Sequence, residues 1–189
     1  MKYDIPAVLF AGGKSSRMGE DKALLPFAGY TTLSQYQYQR LEKLFKAVYL
    51  SAKEDKFDFN ASLITDTYRQ SSPLVGVLSV FETLDCDEVF VLSVDAPFVG
   101  EEIITSLLDQ ERKFDAVIAK SPHGAEPLCG IYRRSILPLA KKYLAADNHK
   151  LNSLLLEADT QFISFENNAP FMNLNHPHEY EKALTLILP

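Results

Sequence analysis

The sequence has few of the residues that are typical of secreted, zinc-stabilised or membrane-embedded proteins. Only two of its 189 residues are cysteines, and Cys86 and Cys129 stand far apart without CxxC spacing. Neither a disulfide framework nor a cysteine-bound zinc site is therefore predicted. No segment has about 18 uninterrupted apolar residues, and the apolar run near the N-terminus is too short for a signal sequence. A reduced, soluble, cytoplasmic protein is expected.

A long block of lysine and arginine is also absent. The chain carries 19 basic and 25 acidic residues, a formal net charge of −6, and neither a nucleic acid nor a membrane surface is an expected partner. The histidines do not have the spacing of a metal-ligand set; they are His123, His149, His176 and His178. Repeats, low-complexity tracts and Pro/Gly/Ser linkers are missing too, which predicts a single domain over residues 1–189.

Short apolar runs alternate along the chain with segments of helical periodicity. Six runs rich in β-branched and aromatic residues are predicted strands: 7–11, 46–52, 62–65, 88–94, 114–120 and 160–165. Six other segments are predicted helices: 31–45, 73–84, 100–110, 134–144, 150–158 and 176–188. Several strands are apolar on both faces and so belong inside a mostly parallel sheet covered by helices. The predicted fold class is α/β, a three-layer α/β/α Rossmann-like arrangement. The tyrosines of QYQYQ in the first helix are assigned to packing.

The segment AGGKSSRMGEDK, residues 11–22, follows the first predicted strand and is dense in glycine and hydrogen-bond donors. Its spacing is neither GxxxxGK[ST] nor GxGxxG, so two common phosphate-binding loops are excluded. Gly12 and Gly13 would let backbone N–H groups approach phosphate oxygens, while Arg17 and Lys22 would add charged donors. A solvated glycine-rich loop without a ligand is the alternative. We expect phosphate binding, because ordinary turns seldom place arginine and lysine beside paired glycines.

Two carboxylates follow other predicted strands at the same edge of the sheet. Open α/β sheets bind ligands at the carboxyl ends of their strands, where the glycine loop, Asp66 and Asp95 are all expected. Asp95, followed by Pro97, suits a Mg²⁺ ion shared between one carboxylate, phosphates and water, and a capping role is the alternative. Asp66 is a candidate nucleotide contact or the cap of a turn.

Four elements of the sequence, in order, resemble those of the molybdenum cofactor guanylyltransferases of the nucleotidyltransferase superfamily. They are GGKSSRMGEDK at 12–22, SPLVG at 72–76, VDAPF at 94–98 and NLNHPHEY at 173–180. The resemblance covers most of the chain and implies the nucleotidyltransferase form of the α/β fold. It also implies an enzyme that transfers GMP from GTP to the terminal phosphate of molybdenum-molybdopterin and releases pyrophosphate.

The resemblance implies roles for individual residues. The catalytic residues would be Arg17, Lys22 and Asp95, with Asp95 as the Mg²⁺ ligand. The nucleotide-binding residues would be Phe10, Ala11, Gly12, Gly13, Lys22, Ser51, Asp66, Gly76 and Asp95. Asn173 and Asn175 are expected to bind the molybdopterin substrate or to complete the metal site; asparagines that bond their own backbone are the alternative. Gly76 would give a base or ribose room, or serve packing alone.

The sequence departs from the family pattern at three positions. Ser51 stands where the family often has asparagine, Ser72 where it has glycine, and His176 where it has threonine. Two other functions fit the motifs: a related nucleotidyltransferase that uses CTP or another small phosphorylated substrate, and a nucleotide-binding cofactor carrier without catalysis. Because a carrier needs neither Lys22 nor Asp95, the enzyme is the preferred interpretation. Cofactor-delivery proteins or apo-molybdoenzymes are the expected protein partners.

Overall fold

The computed structural model describes residues 2–12 and 20–187. A seven-stranded sheet of strand order β3-β2-β1-β4-β6-β5-β7 forms its middle layer. The strands are β1 (Ala7–Phe10), β2 (Val48–Ala52), β3 (Ser62–Thr65), β4 (Glu88–Ser93), β5 (Ala116–Ser121), β6 (Gly124–Arg133) and β7 (Thr160–Ser164). Neighbours pair in parallel except at β6, which is antiparallel to both β4 and β5. The sheet is therefore mixed and mostly parallel.

Within the described residues, six α-helices cover the two faces of the sheet. They are α1 (Leu33–Leu44), α2 (Pro73–Thr83), α3 (Glu101–Leu108), α4 (Leu137–Ala145), α5 (Leu151–Glu157) and α6 (Pro177–Ile187). Residues of α1, α3 and α6 pack on one face, and residues of α2, α4 and α5 pack on the other. The expected three-layer α/β/α arrangement is confirmed. None of the helices in these residues is both long and apolar enough to cross a bilayer.

The start of α2 is fixed by its own sequence. The Ser72 side chain accepts a hydrogen bond from the Val75 N–H at 3.2 Å and so caps the helix. Pro73 occupies the first turn, where a missing N–H leaves no hydrogen bond unmade. The cap sets the position of the first turn of α2, which borders the site described below.

All six predicted strands are present, and the sequence analysis missed a seventh. Strand β6 contains a proline and two glycines, a composition atypical of a strand inside a sheet. It follows β5 after a two-residue connection, with Ser121 opposite Gly124. A Cβ at Gly130 would come within 2.5 Å of the Val117 carbonyl oxygen, so glycine lets the two backbones approach at this point.

The carboxyl ends of the parallel strands lie along one edge of the sheet. Phe10 of β1 pairs with Ser51 of β2 on one side and with Ser93 of β4 on the other. Since β6 runs in the opposite direction, its first residues reach this same edge through the connection from Ser121. Residues that follow β1, β3 and β4 therefore share one side of the molecule with the beginning of β6.

Candidate active site

Residues at the ends of β1 and β2, together with the first turn of α2, line a cavity of about 390 Å³. We call it the first cavity. It brings together five residues that the sequence predicted to bind a nucleotide: Phe10, Gly12, Ser51, Asp66 and Gly76. The Ala11 N–H donates to the Ser51 carbonyl oxygen at 2.9 Å, so that N–H is already used within the sheet. Gly13 and Arg17 lie outside the described residues.

Gly76 and Phe10 are in close contact on the wall of the first cavity. A Cβ at Gly76 would lie 2.5 Å from Phe10 Cε1, so any side chain here would displace the ring. The sequence left open whether this glycine makes room for a base or serves packing, and the structure shows the packing contact. The phenyl ring in turn forms part of the cavity wall.

Asp66 presents a half-buried carboxyl group to the same cavity. Loss of solvent raises its pKa above the ordinary value, and the positive charge of Lys53 opposes that shift. An ionised carboxylate can accept hydrogen bonds from two adjacent N–H donors. Asp66 therefore has the chemistry needed to recognise a base with a paired donor edge.

Lys56, which the sequence analysis did not single out, connects the two ends of the glycine loop. Its ammonium donates to the Ala11 carbonyl oxygen at 3.1 Å and forms an ion pair with Asp21. Asp21 also accepts from the Ala23 N–H at 3.1 Å, capping the short 3₁₀ helix Lys22–Leu24. Lys56 thus helps to position the helix that presents Lys22.

Three side chains predicted to act on phosphate or substrate meet at one point. The Lys22 ammonium forms an ion pair with Asp95 and donates to Asn175 Oδ1 at 2.8 Å. Asp95 follows the end of β4, and Asn175 precedes α6. The Lys22 and Asp95 side chains are only 18% and 14% exposed, so solvent screens their attraction weakly. Segments far apart in the sequence thus form one charged centre.

Further contacts hold Asp95 and its neighbours in place. The Ser93 hydroxyl donates to the Asp95 carboxylate, and the Leu174 N–H donates to the Asp95 carbonyl oxygen at 2.9 Å. The Glu179 carboxylate accepts from two successive backbone N–H groups at 175–176, at 2.7 and 2.8 Å. These bonds tie the segment before α6 both to that helix and to the loop after β4.

The oxygen atoms around the Lys22 ammonium fit a hard divalent cation. The ammonium lies between the Asp95 carboxylate and the Asn175 amide oxygen, and oxygens of these kinds are the ligands that Mg²⁺ takes in proteins. Among residues 2–12 and 20–187, no three His, Cys, Asp or Glu side chains cluster as a metal site. A cation here would therefore complete its coordination with phosphate oxygens and water.

The sequence analysis missed two residues of α1 that hold the loop 94–99. The Arg40 guanidinium donates to two backbone carbonyl oxygens of this loop at 2.5 and 2.6 Å, and to Gln37 Oε1 at 2.6 Å. The fully buried Gln37 donates to a third carbonyl oxygen of the loop at 3.4 Å. Because these bonds reach both ends of the loop, they help to set the direction of Asp95.

A second cavity, of about 440 Å³, borders Asp95. Much of its wall is apolar and comes from Ala96, Val99, Leu128, Cys129, Leu151 and Phe171. Its polar residues include Asp95, Glu126, Lys150, Asn152 and Asn173. Pro73 and Leu128 border both cavities, so the two spaces are neighbours. The structure thus places Asn173 in the second cavity and Asn175 at the Lys22–Asp95 pair.

Comparisons with known proteins point to the family that the sequence motifs resemble. The chain matches the family model described as the MobA-like NTP transferase domain over residues 7–161. The molybdenum cofactor guanylyltransferase of Campylobacter jejuni subsp. doylei is 41% identical over 182 residues, which is 95% of each chain. The protein of the same name from Helicobacter pylori is 37% identical over 190 residues, covering 97% of this chain and 90% of the relative.

Solved structures share the fold. Molybdopterin-guanine dinucleotide biosynthesis protein A from Archaeoglobus fulgidus superposes with a TM-score of 0.83 at 18% identity, covering 96% of this chain and 98% of that one. The 2-C-methyl-D-erythritol 4-phosphate cytidylyltransferase from Thermus thermophilus superposes with a TM-score of 0.72 at 16% identity, covering 98% and 99%. The fold and the matching family define a nucleotidyltransferase. The chain belongs to the MobA-like NTP transferase family, and the resemblance found in the sequence is confirmed.

Proposed function

We propose that this chain transfers GMP from GTP to the terminal phosphate of molybdenum-loaded molybdopterin, with release of pyrophosphate. Relatives named molybdenum cofactor guanylyltransferase match 95% of the chain and support this activity. The geometric observation that carries the proposal is the pair of neighbouring cavities with Asp95 at the border of the second. Transfer between two bound molecules needs two sites that share one reacting centre.

The reaction requires alignment and charge neutralisation rather than a covalent enzyme intermediate. An oxygen of the acceptor phosphate attacks the α-phosphorus of GTP, and a new P–O bond forms. The bond from the α-phosphorus to the oxygen of the leaving pyrophosphate breaks, and its electron pair departs with the pyrophosphate. An ionised phosphate needs no base to remove a proton. Catalysis therefore depends on holding the groups in line and stabilising charge on the phosphoryl oxygens.

We assign the nucleotide to the first cavity and the acceptor to the second. The predicted nucleotide contacts line the first cavity, and the glycine loop starts at its edge with Gly12. The Lys22 ammonium lies beside Asp95, where it can neutralise charge on the transferred phosphate. Arg17 has the same proposed task. Asn173 lines the second cavity and is assigned to the acceptor.

A divalent metal is typical of nucleotidyltransferases of this family, and we propose that Mg²⁺ is the ion used. Asp95 would hold it, with the Asn175 oxygen close by. When bound, the ion would supply positive charge to the phosphate oxygens. The protein's own part is to hold these two residues in place: Ser93 and Leu174 contact Asp95, and Glu179 accepts from the Asn175 N–H.

Pyrophosphate release tests the proposal directly. The purified chain is incubated with GTP, CTP or ATP, with and without molybdenum-loaded molybdopterin, in Mg²⁺ or in a chelator. We expect release only with GTP, acceptor and Mg²⁺ together, and a guanine dinucleotide by mass spectrometry. Equal use of CTP would overturn the guanylyl specificity. Nucleotide binding without release under any of these conditions would instead indicate a carrier.

We further propose that the reaction takes place in the cytoplasm, within one domain, on the composition and linker arguments given for the sequence. Cofactor-delivery proteins or apo-molybdoenzymes would receive the product. Cell fractionation and co-purification of the tagged chain with molybdoenzymes test these two points. Recovery of the chain outside the cytoplasm would contradict the first.

A further inference from the structure

Glu126 is a half-buried carboxylate in the second cavity that none of the roles above uses. It lies near the start of β6, at the edge of the sheet that carries Asp95. Loss of solvent raises its pKa above the ordinary value; Ser121 and His123 oppose the shift, and the charge of Asp95 adds to it. Among the described residues, none forms an ion pair with Glu126. The Ser121 side chain supplies one hydrogen bond to Glu126, and a carboxylate with two oxygens has further acceptor positions for a ligand's donors.

The surroundings of Glu126 suit a flat heteroaromatic ring. The wall of the second cavity includes apolar side chains such as Val99, Leu128 and Phe171, which can cover the faces of such a ring. A 2-amino-4-oxopyrimidine ring carries a ring N–H and an exocyclic amino group on adjacent atoms. These two donors point in the same direction and match the two oxygens of one carboxylate. The pyrimidine half of a pterin has this edge.

We propose that Glu126 selects the pterin of the acceptor by accepting two hydrogen bonds from its ring N–H and its 2-amino group. The inference rests on the proposed function, because the pterin belongs to the molybdopterin substrate. The position of Glu126 also sets the orientation of that substrate. The negative charge of Glu126 disfavours the acceptor phosphate at its own position, whereas the ammonium of Lys22 beside Asp95 attracts it. The pterin end therefore lies at Glu126, and the phosphate end lies where the reaction occurs.

Steady-state kinetics of Glu126→Gln test the role. This change keeps the size of the side chain and removes the second acceptor oxygen. We expect the KM for molybdenum-loaded molybdopterin to rise about ten- to a hundredfold, the cost of a lost bidentate contact. The KM for GTP and the kcat at saturating acceptor should change by less than about twofold, because Glu126 touches neither GTP nor the reacting atoms. A lower kcat with an unchanged acceptor KM would overturn the inference.

Two further variants control for structural effects. Glu166→Gln makes the same chemical change at an exposed position and should leave every constant unaltered. Glu126→Asp keeps a carboxylate on a shorter stem, and it should bind the acceptor better than Glu126→Gln does. If Glu126→Gln fails to fold, the comparison of Glu126→Asp with the unsubstituted chain takes its place, with a raised acceptor KM alone expected. Identical acceptor KM values for all of these proteins would contradict the role of Glu126.

A binding experiment separates this inference from the proposed function. The probes are pterin and lumazine, which carries a carbonyl oxygen in place of the 2-amino group, each titrated by its fluorescence. The unsubstituted chain should bind pterin at least about tenfold more tightly than lumazine, since the lost donor leaves a buried acceptor unpaired. Glu126→Gln should abolish this preference. Equal binding of the two rings by a chain that makes the dinucleotide overturns the role of Glu126 alone. Selection of pterin without any dinucleotide formation supports that role and overturns the proposed transfer.

Discussion

The nucleotide side of the site, around the first cavity, and the acceptor side, around the second, are built in different ways. The first comes from the ends of parallel strands and the glycine loop, so its residues directly follow strands and fall into short motifs. The second takes residues 126–129 from β6 and 150–153 from the start of α5, and only Pro73, Asp95, Ala96 and Asn173 of its lining belong to a recognised motif. The lining proposed for the nucleotide is thus marked by short motifs after strands, whereas most of the lining proposed for the acceptor lies outside any motif.

The charged centre beside the second cavity should give the largest effect. We expect Asp95→Ala and Lys22→Ala each to lower kcat by about a hundred- to a thousandfold, as loss of one preorganised electrostatic group does. The measurement is pyrophosphate release at saturating GTP and acceptor, with circular dichroism to verify folding. Matched changes at exposed positions, Asp58→Ala and Lys43→Ala, should leave kcat unaltered. Near-normal turnover in folded variants would remove Asp95 or Lys22 from the mechanism.

A change confined to the nucleotide side should alter the choice of nucleotide and leave acceptor affinity alone. We expect Asp66→Asn to reduce the preference for GTP over CTP by about ten- to a hundredfold, because a paired acceptor for the guanine edge is lost. Ratios of kcat/KM for the two nucleotides provide the measurement. An unchanged ratio would exclude Asp66 as the residue that recognises the base.

Asp66→Asn should also change the free energy of unfolding, in a way that depends on pH. Burial raises the pKa of Asp66, so the folded state binds a proton more tightly than the unfolded chain does. The ionised group therefore destabilises the fold in full above its raised pKa and not at all below the ordinary value. Asp66→Asn should be more stable than the unsubstituted chain at neutral pH, and this gain should disappear in acid. Urea unfolding at several pH values measures it.

Arg40 offers a test of the loop 94–99, which lines the proposed acceptor side. Arg40→Met keeps much of the side chain's length and leaves part-buried carbonyl oxygens of the loop 94–99 without their donor. We expect the free energy of unfolding to fall by about 1–3 kcal/mol, and kcat to fall because Asp95 is held less firmly. Urea unfolding and kinetics provide the two readouts. Arg112→Met, at a side chain that is 79% exposed, is the control. Unchanged kcat in the Arg40 variant would limit this residue to stability.

The smallest effect is expected at Ser72, which connects the two sides. Its hydroxyl caps α2 and is hydrogen-bonded to His149 Nδ1 at 2.9 Å, in the turn before α5. Ser72→Gly introduces the glycine of the family pattern. We expect it to lower the melting temperature by only about 1 °C, since glycine is an adequate N-cap. The melting temperature of His149→Ala shows how much of the decrease comes from losing the hydrogen bond to the histidine. A decrease in melting temperature several times larger would indicate that the Ser72–His149 hydrogen bond links the stability of the two sides.

The sequence predicts the regular parts of the fold, and it singles out several residues that line the first cavity, because both have local signals. Apolar runs mark the parallel strands, and the Ser72–Pro73 pair marks the start of α2. Strand β6 escaped because a proline and two glycines obscure its pattern, although its partner β5 directly precedes it. Arg40 and Glu126 escaped for a related reason. The contacts of Arg40 are with backbone oxygens, and the position of Glu126 in a cavity wall depends on the fold, so neither leaves a pattern in the neighbouring sequence.

The two-residue connection between β5 and β6 also bears on how the chain folds during synthesis. Closing so short a loop costs little chain entropy, so this hairpin can form as soon as both strands exist. By contrast, β1 needs a parallel neighbour from far along the chain, as the pairing of Ala7 with Phe90 shows. One edge of β1 therefore stays unpaired until β4 has been made, whereas β5 and β6 can pair as soon as both are complete. Gly124, whose φ of +131° suits glycine alone, is what allows so tight a connection between these two strands.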